Sequence, residues 1–313
     1  MSQTYGGQAV VEGVMIRGAR AMAVAVRRPD GSIALRADRL GNIYTSALRR
    51  IPLIRGVIVL WETLALGMKA LAWSAAVATE ETVEDGTEPG DSGSLGALSW
   101  IVMGLSMAIG VALFFVIPVV ATAWLEGELP TFVVVLIEGL LRLGMLIGYI
   151  WLIGRSEEIS RVFQYHGAEH MAIHAFEEGR ELTVQAIRRF PKEHPRCGTS
   201  FLLTVGVVAV FVFALLGSPP LWWRISSRIV LVPVIASVAY EAIRFAGFHQ
   251  RWPIVRWLFA GNIALQYLTT RVPEDEHIQV AIASLEHTVA EDERAARGIP
   301  PLGEATLADP ATD

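Results

Sequence analysis

Cysteine is almost absent from this chain of 313 residues, in which Cys197 is the single example. One thiol excludes an internal disulfide and a zinc ribbon built from several cysteines. Charged residues are also scarce, at 18% of the chain, and the formal net charge is −5 at pH 7. Because nucleic-acid binding requires a basic surface, we expect no nucleic-acid partner.

Two familiar N-terminal signals are missing as well. The first residues, MSQTYGGQAVVEGV, contain no basic region followed by an apolar core, so we predict no cleavable signal peptide. The glycines of GGQAVVEGVMIRG do not have the spacing of a phosphate-binding loop. We expect them to permit close backbone packing instead, since glycine has no Cβ.

What the chain has in abundance is apolar sequence. Hydrophobic residues make up 53% of it and are gathered into long runs, which indicates a membrane protein. A helix needs roughly 20 mostly apolar residues to cross a bilayer. We predict four transmembrane helices, at residues 98–124, 131–153, 200–216 and 225–245.

A further run, residues 51–77, is less uniform. Arg55, Glu62 and Lys69 recur there every seven residues and form a polar stripe on a helix. Charges at bilayer depth are costly, so we predict an amphipathic or partly embedded helix over residues 51–78, with a fifth transmembrane span as the alternative.

Basic residues indicate the orientation of the predicted spans. Arginines are frequent before the first span, after the second and after the fourth, whereas the loop LEGELP between the first two has no basic residue. Basic flanks mark the cytoplasmic side. We therefore expect both termini, and the loop at residues 154–199, to lie in the cytoplasm.

The other segments complete a mainly α fold. Residues 1–50 are predicted to form a small β-rich cap, since Pro29-Asp30-Gly31 is a turn signal between two apolar runs. Residues 79–97 are acidic and rich in Gly, Ser and Thr, as flexible loops are. An interfacial segment and a C-terminal helix are expected over 247–290, and a disordered tail over 291–313. The expected fold class is a multi-pass helical membrane protein with a small N-terminal β element.

The densest cluster of chemically active side chains lies in YHGAEHMAIHAFEE, residues 165–178. His166 and His170 are four apart, so a helix places both on one face, with Glu169 beside them and His174 one turn further on. Two neutral imidazoles and an adjacent carboxylate suit a catalytic divalent metal site. The pattern predicts zinc, with His166 and His170 as ligands and Glu169 as general base.

Further ligands are expected from other parts of the chain. His194 and Cys197 lie just before the third span, and both are residue types that bind zinc, although a Cys–His nucleophile pair is an alternative. Glu241, near the end of the fourth span, is expected either at the metal site or paired with Arg244. The remaining candidates, which could complete or face the site, are His174, Glu177, Glu12 and Arg17. Glu138 and Arg142, four apart in the second span, are predicted to pair.

The pentad His-x-x-Glu-His resembles the motif of the inverted zinc peptidases. Carried over by position, His166 and His170 resemble the metal ligands, and Glu169 resembles the base that takes a proton from water. In those enzymes a distant glutamate supplies the third ligand, which here implies Glu241 or Glu177, with His194 as a substitute. The resemblance covers these five positions only.

Four ordered segments resemble the YqhQ-like bacterial membrane proteins: GGQAVVEGVMIRG, YHGAEHMAIHAFEEG, HPRCGTSF and LTTRVPEDEHIQVAIASL. The resemblance covers residues 5–286 and therefore most of the chain. That family is catalogued as a domain of unknown function, and its members are sometimes labelled metal-dependent enzymes. It implies a multi-pass protein of the bacterial cytoplasmic membrane, without an established reaction.

The expected function is that of a zinc hydrolase acting at the cytoplasmic membrane surface on a peptide or amphipathic substrate. One alternative is a membrane scaffold or regulator with a structural metal or none. Another is an iron oxygenase of the histidine-box type, which needs about eight histidines, whereas this chain has seven. The expected partners are the lipid bilayer and a substrate that the sequence does not identify, and self-association is left open.

Overall fold

The computed structural model describes residues 5–41, 51–79, 97–195, 197–217, 220–249 and 251–308. The acidic loop predicted at residues 79–97 lies almost entirely outside the described residues. The described chain is mainly helical and begins with an antiparallel sheet, so the predicted fold class is confirmed.

The sheet is a meander of five antiparallel strands in the order β1 to β5. The strands are β1 (Gly6–Val10), β2 (Gly13–Arg17), β3 (Ala21–Arg27), β4 (Ile33–Arg39) and β5 (Glu304–Leu307). The predicted turn between β3 and β4 is present. Gly31 has a φ of 88°, and Asp30 Oδ1 accepts a hydrogen bond from the Ser32 N–H at 2.9 Å, which closes the turn.

The C-terminal segment differs from the prediction of disorder from residue 291 onward. Residues up to Ala296 belong to the last helix, and β5 pairs with β4, with Leu307 opposite Ile33. All four residues of β5 are exposed. The strand therefore forms through backbone hydrogen bonds to the edge of β4 rather than through side-chain burial, and its four residues are too short an alternation to predict it.

The helices account for most of the chain. They are α1 (Ile54–Ala78), α2 (Ala97–Val111), α3 (Ile117–Thr122), α4 (Thr131–Ile153), α5 (Glu157–Glu177), α6 (Val184–Ile187), α7 (Gly198–Leu215), α8 (Leu221–Val230), α9 (Val232–Phe248), α10 (Pro253–Leu258), α11 (Ala260–Thr269) and α12 (Asp275–Ala296). A π-helical turn, Ala112–Val116, joins α2 to α3, and a 3₁₀ turn follows α3 at Ala123–Leu125.

The sheet is covered on both faces. Side chains alternate along a strand, so neighbouring residues of β2 enter different cores. Ile16 packs with Tyr165 of α5 and Ile278 of α12 in one core. Met15 packs with Trp73, from the last turns of α1, in the other core. The helix that carries the histidines is thus fixed against the sheet.

Four helical stretches are long and apolar enough to cross a membrane, and a bent pair would make a fifth. The four are Ile54–Ala78, Gly104–Leu125, Thr131–Ile153 and Gly198–Leu215. Three of them match predicted spans. The span predicted at residues 225–245 is broken, because α8 and α9 meet at 49°. Pro233 lies in the first turn of α9, where its missing N–H and its ring interrupt a continuous helix.

Helix α1 contacts α9 with its first turns and the sheet with its last turns. Its first turns lie against α9, where the Cα of Ser237 would be only 2.6 Å from a Cβ on Gly56. In its last turns, Ala70, Trp73 and Val77 are buried against the sheet, while Leu71 between them is exposed. The partly embedded helix stays a prediction.

Candidate metal centre

Helix α5 is placed by close packing against the segment that follows α11. Gly167 faces that segment, and a Cβ at this position would lie 2.2 Å from the carbonyl oxygen of Arg271. The backbone of Thr269 can therefore approach the side chains of α5. The first turn of the helix carries Glu157 and Glu158, which suit the positive end of the helix dipole.

Two histidines and the single cysteine converge at this helix. Ligand-type atoms of His166, His170 and Cys197 all lie within 4.8 Å of one another. His166 Nε2 is 3.2 Å from Cys197 Sγ, and the two imidazole ring centroids are 4.4 Å apart. His170 and Cys197 are buried. We call these three residues the His/Cys cluster.

Backbone carbonyls fix the orientation of both rings. His166 Nδ1 lies 2.8 Å from the Thr269 carbonyl oxygen, and His170 Nδ1 lies 2.6 Å from that of Lys192. A carbonyl oxygen only accepts hydrogen bonds, so each Nδ1 carries the proton and donates it. Nε2 of each neutral ring is then left with its lone pair. Such carbonyl partners are typical of histidines that bind metals.

Burial also favours the neutral form of His170, because it lowers the pKa of the imidazole below its ordinary value. The donor set of two imidazoles and one thiol is one that zinc accepts. Ligand atoms around a tetrahedral zinc ion are about 3.3–3.7 Å apart, given bond lengths of about 2.0–2.3 Å. The ligand atoms of the His/Cys cluster, which all lie within 4.8 Å of one another, can reach those separations through small side-chain movements.

Glu169 lies beside the cluster, between α5 and β1. Its Oε2 is 3.8 Å from His170 Nε2. Burial raises the pKa of its carboxyl to about 7, although the nearby His166 and a hydrogen bond from the Gly7 N–H oppose that shift. The missing side chain of Gly7 makes room for it, since a Cβ there would be 3.0 Å from Glu169 Cγ. A carboxyl group with a pKa near 7 can both take and return a proton.

His174 and His194 lie next to the cluster but point their Nε2 atoms elsewhere. His174 Nε2 is 2.9 Å from the Glu193 carbonyl oxygen, and His194 Nε2 is 3.7 Å from Glu177 Oε2. The His194 ring centroid is 5.6 Å from that of His170 and 4.5 Å from that of His174. His194, whose ring lies beside that of His170, is therefore the better placed of the two to supply a fourth ligand.

Glu241 does not belong to the His/Cys cluster in this structure, and its prediction as a metal ligand stays a prediction. Its carboxylate pairs with the Arg55 guanidinium, whose Nε is 2.6 Å from Oε1, and accepts from the Leu53 N–H at 3.3 Å. The start of α1 packs on α9 and brings Arg55 to Glu241. The Arg244 guanidinium, the expected partner, instead lies 5.6 Å from the centre of the Phe248 ring.

The two N-terminal candidates have different positions. Glu12, at the β1–β2 turn with a φ of 49°, pairs with Arg161 at 2.5 Å and accepts from the Tyr165 hydroxyl at 3.2 Å. It therefore lies apart from the His/Cys cluster. Arg17 pairs with Glu62 of α1 at 2.8 Å, and both face the same cavity as the cluster.

That cavity has a volume of about 320 Å³ and lies between β1, α1, α5 and the start of α7. Its polar wall includes Gln8, Arg17, Glu62, Glu169, His170 and Cys197. Glu62 was read from the sequence as part of a polar stripe on α1. Its position in this wall could not be inferred, because it depends on the contact between α1 and the sheet.

A second residue that the sequence reasoning missed is Gln266 of α11. Its Oε1 accepts from the His194 N–H at 2.8 Å, and its Nε2 donates to the His194 carbonyl at 2.9 Å. Nε2 also lies 3.1 Å from Ser200 Oγ. Gln266 thus fixes the loop that carries Cys197. The signal in the sequence was a pair of amides, Asn262 and Gln266, four apart in an apolar segment.

Comparisons with known proteins agree with the four sequence motifs. A family model described as "Protein of unknown function (DUF1385)" matches residues 51–291. The chain is 37% identical over 290 residues to "Uncharacterized protein YqhQ" of Bacillus subtilis (strain 168), a match that covers 90% of each chain. No solved structure matches the chain. The resemblance to YqhQ-like proteins is therefore confirmed.

Proposed function

The chain belongs to the DUF1385 family of proteins of unknown function, and on that premise we propose that it is an integral membrane zinc hydrolase whose metal ligands are His166, His170 and Cys197. The observation that carries the proposal is the convergence of two oriented imidazoles and one thiol beside a buried carboxylate. Three protein ligands leave the fourth position of a tetrahedral site free, as catalytic zinc requires.

Each residue has a distinct task in this proposal. A bound zinc ion would act as a Lewis acid and would ease the deprotonation of water. Glu169 holds the proton at its carboxylate and returns it to the leaving group, which is general base and then general acid catalysis. The Gly7 N–H keeps that carboxylate in place. Arg17, on the cavity wall, can bind a negatively charged part of the substrate.

The membrane setting supports a peptide or amphipathic substrate. Helices α4 and α7 meet the site at one end, since Ile153 leads into α5 and Cys197 caps α7. Their apolar side chains are largely exposed, which suits contact with lipid. The distribution of arginines favours the cytoplasmic face of a bacterial inner membrane, with both termini in the cytoplasm.

One observation favours the alternative of a structural metal in a membrane scaffold. The His194 ring lies beside that of His170 and is buried. A rotation that frees His194 from Glu177 would supply a fourth protein ligand and close the site. A histidine-box oxygenase is less well supported, because His249 stacks on Phe245 and His277 makes an edge contact with Tyr165, so neither belongs to the cluster.

The experiment that tests the reaction compares Glu169→Gln with His174→Ala in the full chain, assayed against panels of peptides and of phospholipid and acyl-ester substrates. Glu169→Gln is expected to retain the metal and to lose activity by about 10²–10⁴-fold, as the loss of a general base does. His174→Ala, on the same helix, is expected to retain both. A wild-type chain that binds zinc and hydrolyses no substrate, with His194 as a fourth ligand, would favour the structural alternative.

A further inference from the structure

A second group of ionisable side chains lies among the membrane helices, apart from the His/Cys cluster. Glu138 of α4 is 1% exposed. Its carboxylate accepts from Arg142 at 2.7 Å, from Arg228 at 2.9 and 3.1 Å, and from Arg224 at 3.3 Å. Arg224 also contacts Glu126. We call these five residues the Glu138 cluster.

The Glu138 cluster is not neutral. Three guanidinium groups face two carboxylates, which leaves one positive charge in excess, and the described part of the chain places no further carboxylate against these arginines. Arg142 and Arg228 also lie 5.9 and 4.0 Å from the centre of the Phe213 ring. Ring contacts stabilise a cation but do not cancel its charge. An unbalanced charge among membrane helices is costly unless an anion is nearby.

The cluster lies at the opposite end of the helices from the His/Cys cluster. Glu138 follows the start of α4 by seven residues, or about 10 Å at 1.5 Å per residue. The other end of α4, Ile153, leads to α5 and the histidines. Trp222 and Trp223 of α8 are 68% and 40% exposed. Exposed tryptophans next to arginines are typical of the level of lipid headgroups.

A cavity of about 340 Å³ adjoins the cluster. Its wall includes Arg224 and Glu126, together with residues of the loop before α4, Val134 and Val135 of α4, and Gly217 after α7. Arg224 is 2% exposed, whereas the side chain of its partner Glu126 is 33% exposed. The cavity is large enough for a phosphate group with several water molecules, each of which occupies about 30 Å³.

We propose that the cavity beside Arg224 binds a phosphate group, supplied either by a phospholipid headgroup or by free inorganic phosphate. A guanidinium group matches phosphate oxygens with two parallel hydrogen bonds, and the excess positive charge favours a dianion or monoanion there. Glu126 shares the wall and competes for Arg224, and its exposed carboxylate can turn to solvent when phosphate enters. This inference is independent of the proposed zinc chemistry, since it concerns the other end of the helices.

The competition between Glu126 and phosphate gives two variants with opposite expected effects. The full chain is purified in an uncharged detergent, and its thermal unfolding midpoint is followed by tryptophan fluorescence as inorganic phosphate is added at constant ionic strength. Arg224→Gln is expected to raise the apparent dissociation constant about tenfold or more, the effect of losing one charge-assisted hydrogen bond. Glu126→Gln is expected to lower it several-fold, because the competing carboxylate is gone.

Mixed micelles distinguish the two sources of phosphate. Phosphatidylglycerol is compared with diacylglycerol, which has the same tails and no phosphate. A response to both phosphatidylglycerol and inorganic phosphate supports a phosphate site, and a response to the lipid alone identifies the source as a headgroup. The proposal is overturned if neither compound shifts the midpoint of the wild-type chain, or if folded Arg224→Gln responds as the wild type does. Should Arg224→Gln not fold, an unchanged response of Glu126→Gln overturns it.

Discussion

At the scale of single residues, Gln266 controls the shape of the His/Cys cluster without belonging to it. Its amide satisfies both backbone groups of His194 and contacts Ser200 Oγ. Cys197 stands between these two contacts in the chain, so its Sγ can meet His166 Nε2 only while the loop keeps this shape. Gln266 is therefore a positioning residue.

Replacing Gln266 by Leu is expected to weaken zinc binding by tenfold or more, as changes to groups that orient metal ligands do. It also leaves the buried N–H of His194 unpaired, at a cost of about 1–3 kcal/mol, whereas the His194 carbonyl keeps its hydrogen bond from the Cys197 N–H at 3.2 Å. Asn262→Leu is the matched control, because Asn262 lies one turn away and donates to Thr204 Oγ1 instead. Chelator competition measures the zinc affinity of both variants. Equal losses of affinity in the two would contradict the role of Gln266.

Glu12, at the β1–β2 turn, is expected to make the stability of the fold depend on pH. Hydrogen bonding from Arg161 holds the pKa of this carboxyl below its ordinary value of 4.5, against the effect of burial. A carboxyl whose pKa is lower in the folded state stabilises the fold above its unfolded pKa and loses that contribution as the pH falls.

We therefore expect the thermal midpoint of the full chain to fall as the pH drops below about 4.5. In Glu12→Gln this part of the pH dependence should be absent, with a lower midpoint at pH 7. The measurement is a series of unfolding curves from pH 7 to pH 3 for both chains. A Glu12→Gln chain that loses stability with acid as steeply as the wild type would show that other groups are responsible.

The sequence was sufficient for those site residues that share one helix. His166, His170 and Glu169 were predicted to lie together because the helical repeat relates positions three and four apart. The sequence offers both His194 and Cys197 as further ligands, since no local pattern shows which of two loop residues turns inward. The pairing of Glu241 with Arg55 could not be predicted for a similar reason, because Arg55 belongs to a helix far away in the chain.

At the scale of elements, the close contact of α5 with the segment after α11 brings the Thr269 carbonyl oxygen to the His166 imidazole. Gly167 allows this contact. A side chain there would meet the Arg271 carbonyl oxygen at 2.2 Å, and backbone atoms cannot move aside without displacing the segment.

Gly167→Ala is thus expected to destabilise the fold by about 1–3 kcal/mol, the usual range for overpacking, although alanine favours helix. Gly148→Ala in α4 is the matched control. The described part of the chain has no atom within 4 Å of a Cβ at position 148. The control should be neutral or slightly stabilising. The measurement is the thermal unfolding midpoint of both variants. A Gly167→Ala chain as stable as the Gly148→Ala control would contradict the packing argument.

Elements with a regular apolar pattern could be predicted well. The span predicted at residues 131–153 has the same bounds as helix α4, and helix α7 begins two residues before the span predicted at residues 200–216. The bend before α9 was missed, because Pro233 was read as part of a continuous apolar run. Strand β5 was missed because it depends on the free edge of β4, which lies about 270 residues earlier in the chain.

At the scale of the whole molecule, the His/Cys cluster and the Glu138 cluster lie toward opposite ends of the apolar helix α4. The sheet, α5 and α12 form the compact part that holds the His/Cys cluster, and the Glu138 cluster lies near the loop between α3 and α4. If the helices cross the bilayer as we propose, the two ends face different compartments.

Single cysteines test this arrangement after Cys197 is replaced by Ser. Arg180→Cys, at the end of α5, is expected to react with a membrane-impermeant maleimide only after the cells are opened. Glu128→Cys, in the loop before α4, should react in cells whose cytoplasmic membrane is intact, once the reagent can pass the outer layers of the cell envelope. Both residues are exposed. Labelling of both sites from the same side would contradict the crossing of the helices between them.

The most direct test of the central claim is X-ray absorption spectroscopy at the zinc edge on the purified full chain. We predict about one zinc per chain, bound by two imidazole nitrogens at about 2.0–2.1 Å and one sulfur at about 2.3 Å. The sulfur shell should disappear in Cys197→Ser. A chain without zinc, or a zinc shell without sulfur in the wild type, would contradict the proposal that His166, His170 and Cys197 bind the metal.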